Sequence, residues 1–291
     1  ITLNIQSTYH NIDPDEFPLN EFPLGRPLND DNSHTNDGHK IVCLNQILVG
    51  DANQKFRVID VLGSGTFSYV FKCQILDQET MQFAAVKIVK NIPQYKAMAK
   101  REVMLHEIID RAPNCIGKER ILKPISAFEV NDHVCIVMPL LSRSLFEGVC
   151  QTQAPLCLLE DVKNIMIQLL QALDFIHSID IIHCDIKPDN ILYVDESRNE
   201  INLIDFGSAC FNSQMEQGKY IQSRFYRSFE VIMGLPYDNK IDIWSAGCVA
   251  AEMFLDFAIF ACDCESDSIH TMVALLGNVP DYLISSSQNW W

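Results

Sequence analysis

The sequence predicts an α+β protein of two lobes, a small β-rich one and then a mainly helical one, preceded by a polar extension. Three observations carry this. The short β-branched and aromatic runs KFRVIDVL, YVFKCQIL and MQFAAVKIV crowd the stretch from Lys55 to Val89, as strands do. From about Leu141 onward, apolar residues recur at helical spacing instead. Residues 1–54 are dense in Asn, Asp and Pro and hold neither period, which suits an extension that is partly disordered. The resulting order, strands first and helices second, places a lobe at about 55–140 and another at about 141–291, with a cleft between them.

Each element has its own justification. Within the extension, the apolar piece Ile41–Val49 is expected to dock on the lobe that follows. EFPL occurs twice in EFPLNEFPLG, too briefly for a structural repeat. A glycine-containing turn separates the first two strands, and DQET separates the second from the third. Lys96–Asp110 reads as a helix because Met98, Glu102, Leu105 and Ile109 recur at spacings of four, three and four, so a carboxylate sits on an otherwise apolar face. A strand pair follows at Ile125–Val130 and His133–Met138. Leu158–Ile176 aligns Val162, Ile165, Leu169, Leu173 and Ile176 on one stripe, with Glu160 and Asp161 in the opening turn where the helix dipole favours them. Two short apolar runs, Asn190–Val194 and Ile201–Ile204, flank the polar turn DESRNE, and Asp242–Phe257 forms a long apolar helix.

Composition excludes several classes of function. The 291 residues are 48% hydrophobic and 21% charged, enough to bury a core. A net charge of −16 argues against bulk affinity for nucleic acid or an anionic membrane. The most apolar long stretch, Trp244 to Cys262, carries Glu252 and Asp256 and reads as a buried helix rather than a membrane span. The chain opens without a basic-then-apolar leader. Eleven scattered cysteines with no C-x-x-C, several inside apolar runs, suit reduced thiols and a cytoplasmic or nuclear setting.

One series of residues carries chemistry. Gly63-Ser-Gly65-Thr-Phe-Ser68-Tyr-Val70 lies between two strands, and so differs from a dinucleotide-binding turn, which opens a helix. Such a turn lets backbone N–H groups approach phosphate oxygens. Lys87 follows on the third strand and Glu102 on the inward helix face. Then come His183-Cys-Asp185-Ile-Lys187-Pro-Asp-Asn190 on a loop and Asp205-Phe-Gly207 twenty residues after Asp185. This order and spacing match the set that marks protein kinases. Phosphoryl transfer spreads charge over the phosphoryl oxygens, so its catalysis is positioning and electrostatics. In those roles Lys87 holds the ATP α and β phosphates and Glu102 pairs with Lys87. Asn190 and Asp205 are hard oxygen ligands for Mg²⁺, Asp185 accepts the proton of the substrate hydroxyl, and Lys187 reaches the γ-phosphate.

On these residues the chain resembles the CMGC group of protein kinases and, within it, the dual-specificity tyrosine-regulated (DYRK) family with its Yak-type and homeodomain-interacting relatives. Cys184 where most kinases have arginine, the run IDFGSACF and the run from Tyr220 to Glu230 carry the resemblance, as do VLGSGTFSYVFKC and ILVGD. It implies a bilobal protein-kinase fold and transfer of the ATP γ-phosphate to Ser/Thr of protein substrates, with autophosphorylation of Tyr220. Arg224 and Arg227 are then the candidates to meet the Tyr220 phosphate. It also implies an ATP site that includes Leu62, Gly63 and Gly65, with the adenine between Val70, Ala85 and Leu192, Met138 as gatekeeper and Pro139 and Leu141 as hinge bonding groups. Asp189 is a candidate reader of a basic residue upstream of the phosphoacceptor. Arg227 resembles the arginine that shapes a pocket for proline after the acceptor, and Asp242 the buried aspartate that anchors the catalytic loop.

Three departures from the family pattern support an alternative, a catalytically weak scaffold. Ser68 replaces a third glycine, and Phe229 stands where the family has proline. The resemblance also implies further C-lobe helices beyond Trp291, one of which would bring an arginine to Glu230. A buried, unpaired carboxylate there would be costly.

Overall fold

A computed structural model describes Thr35 and residues 38–76, 81–150, 158–215 and 218–287. Residues 1–34 of the expected extension and the expected DQET turn at 77–80 lie outside the described residues. The chain divides into two compact units, Ile1–Asp110 with Leu122–Leu140, and Arg111–Ile121 with Leu141–Trp291.

The first unit is a six-stranded antiparallel sheet in the order β1-β2-β3-β4-β6-β5. Its strands are β1 (Ile47–Val49), β2 (Lys55–Ser64), β3 (Ser68–Ile75), β4 (Gln82–Val89), β5 (Ser126–Val130) and β6 (His133–Pro139). Side chains alternate across such a sheet, and β4 shows it. Ala84, Val86 and Ile88 join Leu48, Phe56 and Phe71 in the main core, with Phe56 stacked on Phe128 at 5.7 Å. Val89, with Ile136 of β6, faces helix α1 (Pro93–Arg111). Proline at the first helical position loses no intrahelical bond. The buried face of α1 is Ala99, Glu102, Leu105 and Ile109. Met98, expected on this stripe, is half-buried, because its neighbour Ala99 takes the place one turn before Glu102. Residues 40–54, which the sequence assigns to the extension, supply β1 to the sheet and Val42 to the core. The docking expected of Ile41–Val49 is thus made by Val42 and Leu48, whose apolar surface is removed from water there.

The second unit is mainly helical. Its helices are α2 (Ile116–Glu119), α3 (Leu159–Ser178), α4 (Phe229–Ile232), α5 (Lys240–Leu255), α6 (Glu265–Leu276) and α7 (Asp281–Ser286). Two small antiparallel ribbons complete it. One pairs β7 (Ile181–Ile182) with β10 (Cys210–Phe211), the other β8 (Ile191–Tyr193) with β9 (Ile201–Leu203). The stripe predicted for α3 is buried as expected, joined by Gln168, Ala172 and Phe175. Gln168 is tolerated inside because it bonds Ile201 N through its oxygen and Asn199 O through its nitrogen. Helix α2 crosses α3 at Gly117, where a Cβ would come within 2.1 Å of the Gln171 carbonyl oxygen. No described helix is long and apolar enough to cross a membrane.

Leu48 is 1% exposed and Val49 47% exposed on the same three-residue strand. Leu48→Ala should therefore lower unfolding free energy by about 2–5 kcal/mol, whereas Val49→Ala should stay within about 0.5 kcal/mol. Urea unfolding of the two variants reads the difference.

Candidate active site

In the first unit the site begins with strand register. Val70 lies opposite Lys87, Lys87 opposite Ile136, and Ala85 opposite Met138. Cross-strand partners share a face, so Val70, Ala85, Lys87 and Met138 all point to the side that carries α1. There the Lys87 ammonium meets both carboxylate oxygens of Glu102, at 3.0 and 2.8 Å. The two residues are only 8% and 2% exposed, so the pair is screened little by solvent. Pro139 ends β6 opposite Ala84, and half-buried Leu62 lies where the β2–β3 pairing shifts register. Gly63 pairs with Val70, and Gly65 N donates to Ser68 O at 2.9 Å, closing the hairpin.

Ser68, the departure from the third glycine, opens β3 opposite Val89 and is absent from the positive-φ residues. No left-handed conformation is required at that position, so a side chain there carries no backbone strain.

The catalytic-loop residues gather in the second unit. Asp185 Oδ1 accepts from Ser223 Oγ at 2.7 Å, and its Oδ2 accepts from Lys187 Nζ at 2.9 Å and Asn190 Nδ2 at 3.1 Å. Asn190 Nδ2 also donates to the Asp185 carbonyl at 2.8 Å, and Lys187 Nζ to Ser223 Oγ at 3.2 Å. Burial pulls the Lys187 ammonium down, but Asp185, Asp189 and Asp205 outweigh it and hold its pKa above the ordinary lysine value. Lys187 is thus a fixed cation among three carboxylates. Asp205 sits in the left-handed region (φ 61°, ψ 77°) and accepts from Gly207 N at 3.2 Å. Phe206 behind it is fully buried against the His183 ring at 4.9 Å. His183 Nε2 in turn meets the Ile204 carbonyl at 3.0 Å, tying the loop to the segment that carries Asp205.

Beneath the loop lies Asp242 of α5, fully buried. It accepts from His177 Nε2 at 2.9 Å, His183 N at 2.8 Å and Cys184 N at 2.9 Å. Leu192 pairs with Asn202 in the β8–β9 ribbon, and half-buried Leu141 precedes Ser142, whose N donates to the Tyr193 carbonyl.

The segment from Tyr220 to Glu230 is built around Gln222. Its φ is +61°, its N donates to the Cys184 carbonyl, and its side chain joins Ile241 O, Ser245 Oγ and Ser228 N. Arg227, 1% exposed, bonds the Gln222 carbonyl at 2.8 Å, the Ile221 carbonyl at 2.8 Å and Glu265 Oε1 at 2.6 Å. Its guanidinium also covers the ring of exposed Tyr220 at 3.8 Å, and Arg227, with a smaller effect from Arg224, holds that phenol below the usual tyrosine range. Arg224 is exposed and bonds the Asp263 carbonyl.

Phe229 opens α4 at a position where proline would forgo no intrahelical bond, so the residue change costs the helix nothing. Glu230 is half-buried rather than sealed from water, and among the described residues no ion-pair partner faces it.

The sequence reading missed Ser223, Gln222, His177 and Glu265. A single hydroxyl, amide or carboxylate gives no pattern, and only the folded segment brings these residues to Asp185, Arg227 and Asp242.

The arrangement has its counterpart in the family comparison. Residues 56–288 match the protein kinase domain, and the chain belongs to that family. Its similar relatives are Yak1-type and DYRK kinases. It is 37% identical over 270 residues to serine/threonine-protein kinase ppk15 of Schizosaccharomyces pombe, covering 92% of this chain and 50% of that protein. To dual specificity protein kinase YAK1 of Saccharomyces cerevisiae it is 35% identical over 249 residues, 86% of this chain and 30% of that protein. To dual specificity tyrosine-phosphorylation-regulated kinase 3 of Mus musculus it is 34% identical over 234 residues, 80% of this chain and 39% of that protein. The chain thus spans half or less of the length of these relatives.

Replacing Asp242 with Asn puts an amide donor where the carboxylate now receives only donors. Asp242→Asn should cost about 1–3 kcal/mol of unfolding free energy for each donor left unsatisfied, measured by urea unfolding.

Proposed function

We propose that this chain is the catalytic part of a dual-specificity protein kinase, transferring the ATP γ-phosphate to Ser/Thr hydroxyls of proteins and to its own Tyr220. The observation that carries this reading is the Asp185 carboxylate held by Lys187, Ser223 and Asn190. Each carboxylate oxygen has two lone pairs, so Asp185 can still accept from a substrate hydroxyl while its orientation is fixed. Ser223, bonded to both Asp185 and Lys187, sets the angle between base and cation. Lys187 meets the γ-phosphate with permanent charge. In the first unit the Lys87–Glu102 pair holds an ammonium of the kind that binds phosphate oxygens.

The residues fit Mg²⁺. Asn190 turns its amide nitrogen to Asp185, which leaves its carbonyl oxygen for a cation, and Asp205 adds a carboxylate. Two protein oxygens completed by phosphate and water suit a small hard ion. Held by Asn190 and Asp205, Mg²⁺ would supply positive charge against the phosphate oxygens. The alternative of a weak scaffold draws on Ser68 and Phe229, and neither position carries backbone strain.

Substrate preference follows from Gln222. Its left-handed backbone turns the carbonyl to Arg227, so a substrate N–H next to it meets no acceptor. Proline has no N–H to leave unsatisfied, which favours proline after the acceptor. Asp189 supplies negative charge for a basic residue upstream. Nine described cysteines are free thiols, in keeping with a cytoplasmic or nuclear setting.

Two measurements test the reading. With radiolabelled ATP and the full chain, Asp185→Asn should cut transfer by about 10²–10⁴; undiminished transfer overturns the assignment. Changing proline to alanine after the acceptor in a peptide substrate should lower kcat/KM in line with about 1–3 kcal/mol for one unsatisfied N–H.

A further inference from the structure

Two aromatic rings fasten the turn between β2 and β3 to helix α1. The ring centroids of Phe67 and Tyr95 lie 4.9 Å apart, with the planes tilted by 59°, a favoured geometry for an aromatic pair. The Phe67 carbonyl also accepts from Lys90 N at 2.9 Å, so its ring is held by α1 and its backbone by the residue that follows β4. Tyr95 is anchored in turn, packed on the cluster of Val89, Ala99, Val134 and Ile136. Phe67 is 41% exposed, so the sheet's core does not require its ring.

Tyr95 shares a helix face with the ion pair. Tyr95, Ala99 and Glu102 follow one another at spacings of four and three, one stripe of α1, and Glu102 holds the Lys87 ammonium. The rotation of α1 that brings Glu102 to Lys87 therefore also brings Tyr95 to Phe67. Gly65, within the turn, adds a separate observation. Its backbone is not left-handed, and among the described residues a Cβ there would meet only the Ser68 carbonyl oxygen, at 3.8 Å. The fold has room for a side chain at 65, so the glycine keeps clear a surface that something outside the chain approaches.

We propose that Phe67 and Tyr95 are positioning residues for the triphosphate of a nucleotide, their contact holding the turn at 63–68 where its backbone N–H groups meet phosphate oxygens. The inference rests on the kinase reading and adds to it two residues outside the series that marks kinases. A free turn loses conformational entropy when it closes on an anion, and anchoring on α1 removes part of that loss in advance. The anchor also ties phosphate binding to one helix, the Lys87 ammonium through Glu102 and the turn through Tyr95. A nucleoside without phosphates gains nothing from the pair.

The full chain and its variants are titrated calorimetrically with Mg·ATP and, separately, with adenosine, and hydrogen exchange of the nucleotide-free chain is followed by mass spectrometry. Phe67→Ala and Tyr95→Ala should each weaken Mg·ATP binding roughly two- to tenfold, the range of one aromatic pair, and leave adenosine binding unchanged. The double variant should lose no more than either single one, because both remove the same contact. Tyr95→Phe, which keeps the ring, should recover the parent's affinity. Exchange across 64–68 should be faster in both alanine variants. Unchanged Mg·ATP binding or exchange, equal losses for Mg·ATP and adenosine, additive losses in the double variant, or no recovery in Tyr95→Phe overturns the proposal while the parent's own binding leaves the kinase reading standing. A parent chain that binds neither ligand overturns the kinase reading and the triphosphate role with it.

Discussion

A buried carboxylate holds the loop that carries Asp185 in place. Asp242 has no solvent exposure, and a charge so placed is tolerable only when hydrogen bonds replace its water. Its donors are the backbone N–H groups of His183 and Cys184 and the ring of His177. By holding Cys184 N, the carboxylate helps keep a non-glycine residue in the left-handed region, at a cost of roughly 1–2 kcal/mol. That twist sets the direction in which the chain leaves Cys184, and so where Asp185 and Asn190 point. Lys187 and Ser223 then act on a carboxylate whose position is already determined.

The same loop is coupled to the segment beyond it. Gln222 N bonds the Cys184 carbonyl, and the Gln222 side chain spans Ser228, Ser245 and Ile241. Gln222 is itself left-handed, with its carbonyl held by Arg227. Two strained residues are therefore bonded to each other and braced from α5, one from Asp242 and the other from Ile241 and Ser245. Strain of this kind persists only where the surroundings over-determine it. The Cys184–Cys210 contact lies on the same coupled element.

The sequence made the elements and the principal site residues legible, and by two different means. The strands, α3 and the inward face of α1 follow from the period of apolar residues, which burial imposes directly on composition. The series Lys87, Glu102, Asp185, Lys187, Asn190 and Asp205 follows from residue types whose order and spacing match the set that marks protein kinases. What could not be read is whatever depends on two segments meeting. Residues 40–54 look like the polar arm before them, yet Val42 and Leu48 belong to the sheet's core because its apolar face extends to them. Met98 gives its place to Ala99 because tertiary packing chose the rotation of α1. Ser68 and Phe229 read as defects, and backbone conformation shows neither position to need the missing residue.

By itself, then, the sequence determined which residues offer charge and oxygen for the proposed chemistry, in what order, and on which kind of element. Tertiary structure alone decided that Ser223 stands between Asp185 and Lys187, that Gln222 turns its carbonyl to Arg227, and that Cys184 and Cys210 touch. These contacts join residues 26 to 38 positions apart or impose a left-handed backbone. No local spacing encodes them, because a hydrogen bond or a sulfur contact depends on where the folded chain brings two atoms, not on their separation along it.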